Sequence, residues 1–248
     1  MKYALIADIH SNLDALKAVL DEVERLKCGT IICLGDIVGY GAEPNECVQL
    51  LREKSVTSVI GNHDKAACGI AEPYNFNPAA REAALWTRDV LTEENRGYLK
   101  NLPEKVDYGD FIAVHGAVSD PDKYILSVYE AEHEFELFGE AALCFFGHTH
   151  VRAAYSFREG SACEAAGVEV KTDKNARRLV MDKDTKYLIN PGSVGQPRDR
   201  DPRASYLVYE RGSGVEFRRV EYDVESAQNK ILEAGLSKAL AQRLKYGY

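Results

Sequence analysis

Short apolar runs recur along this chain, and five of them stop at a residue able to hold a metal ion. The runs are "KYALIA" (2–7), "TIICL" (30–34), "VTSVI" (56–60), "FIAV" (111–114), "ALCFF" (142–146) and "KYLI" (186–189). Each is bounded by turn residues, and helix-like stretches lie between them, the pattern of an α/β protein. "SYLVYE" (205–210) and "VEFRRVEY" (215–222) read as a late hairpin around "RGSG". Leu13, Leu16, Val19, Leu20, Val23 and Leu26 mark a first helix, with Ser11 as its expected cap and Gly29 near its end. Runs this continuously apolar imply a sheet covered on both faces.

The polar residues just past each run carry the functional signal. After the first comes "DIH" (8–10), after the second "GDIVGYG" (35–41), and after the third "GNHD" (61–64). The fourth ends in "HG" (115–116) and the fifth in "GHTH" (147–150). The carboxyl edge of an open α/β sheet is where ligand sites form. If the backbone stays extended, residues i and i+2 point the same way, so Asp8 with His10, and His148 with His150, each present a pair to one face. Five of the six histidines fall in these motifs; only His133 does not. A lone histidine is ordinarily structural, but five clusters at one sheet edge are poorly explained that way.

Asp8, His10, Asp36, Asn62, His115, His148 and His150 offer carboxylate, amide and imidazole donors and no thiolate. Such a set suits manganese, iron, zinc or nickel rather than a closed structural zinc site or an all-oxygen calcium site. Seven donors are too many for one tetrahedral ion. They fit two divalent transition-metal ions if one carboxylate bridges.

The series Asp8-x-His10, Gly35-Asp36, Gly61-Asn62-His63-Asp64, His115 and Gly147-His148-x-His150, in that order, resembles the calcineurin-like metallophosphoesterases. With "NPGSVGQPRD" (190–199), the match covers residues 1 to about 200 and is most similar to the small bacterial and archaeal phosphodiesterase branch. The resemblance implies a four-layer α/β/β/α sandwich with a two-metal site. It assigns Asp8, His10 and His150 to the first ion, Asn62, His115 and His148 to the second, and Asp36 to both, with manganese the expected metal. It makes His63 a catalytic residue that is not a ligand, protonating the leaving oxygen or stabilising its charge. The implied reaction is in-line attack by a metal-bound hydroxide on a small phosphodiester or nucleotide. In the protein serine/threonine phosphatase branch the bridging Asp is followed by Val-Asp-Arg. Here Gly39 and Tyr40 stand in the corresponding positions, which argues against phosphoproteins. A phosphomonoesterase and a non-enzymatic protein-binding scaffold are the competing readings; the scaffold predicts eroded ligands, and all seven are present.

A net charge of −8 disfavours long nucleic acid and anionic membrane as partners. The first apolar stretch is broken by Asp8 and is too short for a signal peptide, and no cysteines form a CxxC pair. A cytoplasmic location is the expectation. Residues 1–222 are expected to form the metallophosphoesterase domain, with a helical insertion at about 65–109 shaping the substrate pocket. Asn77 and Thr92 are its helix caps, and Trp86 is expected to serve packing. Arg198, in the loop 190–204, is a candidate substrate-binding residue. The tail 223–248 reads as two short helices around Gly235; whether it packs on the sandwich or makes a homo-oligomer is left open.

Overall fold

The fold is seen in a computed structural model that describes residues 1–165, 168–173, 175–179 and 181–248. The first third of the chain alternates β1 (Lys2–Ile6), α1 (Leu13–Arg25), β2 (Thr30–Cys33), α2 (Pro44–Glu53) and β3 (Thr57–Ser58). Three helices come next: α3 (Asn62–Cys68), α4 (Pro78–Val90) and α5 (Glu93–Lys100). Beyond them lie β4 (Lys105–Asp107), β5 (Phe111–Val114), α6 (Val128–Glu132), a 3-10 turn at Phe135–Phe138 and β6 (Leu143–Phe145). A mostly antiparallel stretch then adds β7 (Arg152–Phe157), β8 (Glu164–Ala165), β9 (Val168–Asp173), β10 (Ala176–Leu179) and β11 (Lys186–Pro191). The hairpin β12 (Ala204–Glu210) and β13 (Gly214–Val220) precedes α7 (Val224–Glu233) and α8 (Lys238–Tyr246).

The described strands form a seven-stranded sheet, ordered β3-β2-β1-β12-β13-β10-β9, and a six-stranded sheet, ordered β4-β5-β6-β11-β7-β8. Strands β1, β2 and β3 run parallel, as do β5, β6 and β11. Side chains alternate between layers as the strand period of two requires. Tyr3 and Leu5 of β1 face the other sheet, packing with Phe111, Phe145, Ile189 and Leu207. Ala4 and Ile6 face away, against Leu16, Val19 and Val23 of α1. On β6, Leu143 and Phe145 point inward, while Cys144 and Phe146 meet Phe135 and Phe138 outside. Each buried aromatic or aliphatic side chain contributes about 1.5–3 kcal/mol. The result is the four-layer α/β/β/α sandwich.

Several local expectations are corrected. Asn12, not Ser11, caps α1, its side chain accepting from Ala15 N at 3.1 Å. Ser11 is diverted by a left-handed backbone (φ 54°). The run 56–60 keeps only two residues as β3. In the stretch 65–109, α3 begins at Asn62, and residues 105–107 pair with β5 as a strand rather than continuing as helix. Asn77 and Thr92 cap α4 and α5 as expected. The tail does form two helices, and they pack against α4: Ile231, Leu240 and Leu244 meet Ala80, Ala83, Tyr40 and the partly buried Trp86.

Candidate metal centre

β1, β2 and β3 run parallel in one sheet and β5 and β6 in the other, and the residues after their carboxyl ends come together where the two sheets face each other. All seven expected ligands gather there. Asp8, His10, Asp36 and His150 form one buried group, and Asp36, His115 and His148 form another. Asn62 joins the second, its Oδ1 3.1 Å from His115 Nε2.

The pairs do not converge through extended backbone, contrary to the expectation. Asp8, His10, Asp36, His148 and His150 all adopt left-handed conformations, with φ between 49° and 68°. Such residues each cost on the order of 1–3 kcal/mol, and they persist only where the surroundings hold them. The surroundings are specific. Asn190 donates to Gly147 O (2.7 Å) and Thr149 Oγ1 (3.0 Å), and Ser193 Oγ donates to Asp8 O (2.8 Å). Gly61 is required because a Cβ there would stand 2.2 Å from Asp36 Oδ1.

Four imidazoles share one device: one ring nitrogen donates to a backbone carbonyl and the other faces the cluster. His10 Nδ1 donates to Val38 O (3.1 Å), His150 Nδ1 to Gln196 O (2.7 Å), His115 Nδ1 to Leu34 O (2.8 Å) and His148 Nε2 to Asp122 O (3.1 Å). Such tethers set the tautomer and aim the remaining lone pair. Consequently His10 Nε2 and His150 Nε2 stand 3.0 Å apart, and His115 Nε2 and His148 Nδ1 stand 3.1 Å apart. Lone pairs so close repel unless a cation lies between them. Donors about 2.0–2.2 Å from one ion are themselves roughly 2.8–3.6 Å apart. The site therefore fits metal ions.

Asp36 lies between the two groups. Its Oδ1 accepts the His63 backbone N–H (2.8 Å). Its Oδ2 is buried without a hydrogen-bond partner, 3.6 Å from His10 Nε2 and 3.5 Å from His115 Nε2. That is where a shared ligand oxygen would stand. Asp8 is tied by the His148 N–H, 3.1 Å from each carboxylate oxygen.

Charge tracks burial, except at His115 and Asp36. Burial pulls His10 and His150 well below the ordinary imidazole range and His148 to about 3, so all three are neutral. Burial likewise raises Asp8 to about 7. For His115, burial is outweighed by Asp36, which raises it to about 9. Against its own burial, Asp36 is held well below the carboxylate range by His115 and His63. Without metal, a proton on His115 thus takes the cation's place.

His63 sits beside the cluster, its ring 4.4 Å from Tyr40, 4.5 Å from Phe76 and 4.9 Å from His10. Its Nδ1 is buried and unpartnered, and burial lowers its pKa to about 4. Gly39 makes room for it: a Cβ there would stand 2.5 Å from Nδ1. Arg198 lies at the rim, donating to Tyr40 Oη (3.3 Å) and Gln196 Oε1 (3.0 Å).

Sequence reasoning passed over several residues here. Asp64 accepts from Val38 N and Gly61 N, both at 3.0 Å, clamping the Asp36 loop to α3. It stood in the "GNHD" motif, where an acid at the third position of a helix reaches back to the N–H of the residue that caps it. Tyr124, stacked on His148 at 3.9 Å, and Phe76 carried no sequence signal.

Comparison with known proteins agrees with this geometry. Residues 1–214 match the model of the calcineurin-like phosphoesterase superfamily domain. An uncharacterized protein of Methanocaldococcus jannaschii is 40% identical over 249 residues, covering 98% of this chain and 97% of its own. A metallophosphoesterase from Sphaerobacter thermophilus superposes with a TM-score of 0.82 at 40% identity, covering 100% of both chains. A hypothetical protein from Pyrococcus horikoshii OT3, 20% identical, shares the fold with a TM-score of 0.79 over 100% of this chain and 98% of its own. With the parallel strand ends, the tethered imidazoles and the matched span in agreement, the chain belongs to the calcineurin-like phosphoesterase superfamily.

Proposed function

We propose that the protein is a two-metal hydrolase of small phosphodiesters or nucleotides. Asp8, His10 and His150 hold one ion, Asn62, His115 and His148 the other, and Asp36 both. The observation that carries the reading is the set of four carbonyl-tethered imidazoles around one unpaired Asp36 oxygen. Bound there, a pair of manganese-like ions supplies Lewis-acid stabilisation of the phosphate and activation of water at neutral pH.

The chain's own residues do the rest. Asp36, anchored through Oδ1, keeps the two halves in register. His63 faces the leaving oxygen. Since burial keeps it neutral at pH 7, it donates a hydrogen bond that stabilises charge there instead of delivering a full proton. No carboxylate orients its Nδ1, because Gly39 occupies the facing position. Arg198 contacts the substrate's anionic end. Phe76, packed on His63, and Tyr124, stacked on His148, stand beside the ligand cluster where they would crowd a bulky chain.

Small substrates are favoured over phosphoproteins and long nucleic acids for two reasons: the crowding by Phe76 and Tyr124, and a net charge of −8 that opposes many simultaneous phosphate contacts. Residues 1–222 act as the catalytic unit, in a chain with no described helix long and apolar enough to cross a membrane. The test compares catalytic efficiency on a model diester, a mononucleotide, a phosphopeptide and single-stranded DNA at fixed manganese and ionic strength. The diester or mononucleotide should lead. A tenfold lead for the phosphopeptide or the DNA, about 1.4 kcal/mol of transition-state discrimination, would overturn the assignment.

A further inference from the structure

Beside the metal cluster, two arginines from segments far apart in sequence approach the same aromatic ring. Arg198 lies in the loop after β11, and Arg243 lies on α8, beyond the residues matched by the family model. Their guanidinium carbons stand 5.8 and 5.9 Å from the centre of the same ring, Tyr40. That ring packs on His63 at 4.4 Å and on His10 at 4.6 Å. The arginine pair is therefore one aromatic ring away from the metal ligands.

Among the described residues, no acidic side chain pairs with either arginine. Arg198 donates only to the neutral oxygens of Tyr40 and Gln196, and its Nε is buried without a partner. Arg243 Nε donates to the main-chain oxygen of Tyr248, the last residue of the sequence. The acids of the same loop are engaged elsewhere: Asp201 with Arg203 and Arg219, and Asp199 with Arg219. Burial, and then the charge of Arg198, lowers the pKa of Arg243. Two partly buried guanidiniums around one ring, neither with an acidic side chain on it, are costly unless an anion joins them. A phosphate matches the guanidinium fork.

We infer that Arg198 and Arg243 form an anion subsite for a second phosphate group, so that the protein prefers phosphoesters carrying a further phosphate beyond the one hydrolysed. The inference rests on the proposed two-metal site as the seat of the first phosphate. It makes the tail part of the site: α7 is anchored through Lys230 to Asp14 (2.8 Å) and Glu43 (2.9 Å), and Gly247 O accepts from Arg200 N (2.9 Å). Those ties position Arg243 over Tyr40.

The experiment measures binding of AMP and ADP to the metal-loaded, full-length protein by calorimetry, so it needs no turnover. The wild type should bind ADP at least tenfold more tightly than AMP. Arg243→Gln should cut that ratio at least fivefold, Arg243→Lys should retain part of it, and Lys245→Gln, exposed on the same helix, should leave it intact. Equal affinity for AMP and ADP in the wild type would overturn the inference. So would an equal weakening of both ligands in Arg243→Gln, which would make Arg243 a clasp for the tail. If Arg243→Gln does not fold, the partial loss in Arg243→Lys decides. Preserved ADP preference without hydrolysis of any ester would leave the subsite standing and remove the hydrolase reading.

Discussion

The two halves of the proposed metal centre each bring a pair of imidazoles, but one adds the Asp8 carboxylate and the other the Asn62 amide, and they sit differently in the fold. Asp8, His10 and His150 are 0%, 1% and 2% exposed, closed in by the Val38 and Gln196 carbonyls and by Tyr40. Asn62 and His148 lie toward the rim, Asn62 partly exposed and His148 covered by Tyr124, which is itself 44% exposed. The protons differ as well. The imidazoles of the closed half are neutral without metal, whereas the open half holds a proton on His115. A carboxylate in the closed half against a partly exposed amide in the other should give unequal sites: a first ion held firmly and a second exchanging with solvent and competing with protons.

The strongest way to break that comparison is to remove what the halves share. Asp36→Ala should lower saturating metal from two ions per chain to at most one, read by elemental analysis. It should also cost about 10³-fold or more in turnover, several kcal/mol of lost charge stabilisation. Asn62→Ala should release only the second ion. Two tightly held ions in Asp36→Ala would refute the bridge.

A smaller effect is expected at His63, which touches the closed half without belonging to it. His63→Ala should retain both metals and lose about 10²-fold on substrates with alkoxide leaving groups, but less with nitrophenolate, which needs little help to leave. A uniform loss across a leaving-group series would place His63 in a structural role.

The smallest and sharpest test is the pH dependence of metal affinity. Below about pH 9, metal must displace the His115 proton, so binding to the open half should strengthen about tenfold per unit as pH rises toward that value. The closed half must deprotonate only Asp8, so its gain should end near pH 7. Chelator competition from pH 6 to 8.5 distinguishes the two. Parallel curves for both ions would remove the asymmetry.

The fold class and the gathering of ligands were legible because both are local. Each strand carries its own apolar run, and parallel strands of one sheet must end on a common edge, so a polar residue after a run is delivered to that edge wherever the strand sits. Strands β7 and β10 escaped because their apolar and polar residues do not alternate cleanly and each takes a distant partner: β10 pairs with β13, and β7 with β11. Asn12 displaced Ser11 as a cap because Ser11 is bent left-handed where its backbone bonds to Ile37 O, a contact from another loop.

By itself, then, the sequence determined the donors, their order and their placement at the strand ends, since residue chemistry and strand direction suffice for that. The tertiary structure decided which nitrogen of each histidine faces the cluster, because the carbonyls of Val38, Leu34, Gln196 and Asp122 come from other segments. It decided that Asp36 keeps one oxygen free, that Gly39 leaves His63 without a partner, and that Arg243 from the tail lies over Tyr40 beside Arg198. Each of these depends on a contact between residues distant in the chain, and no local pattern encodes such a contact.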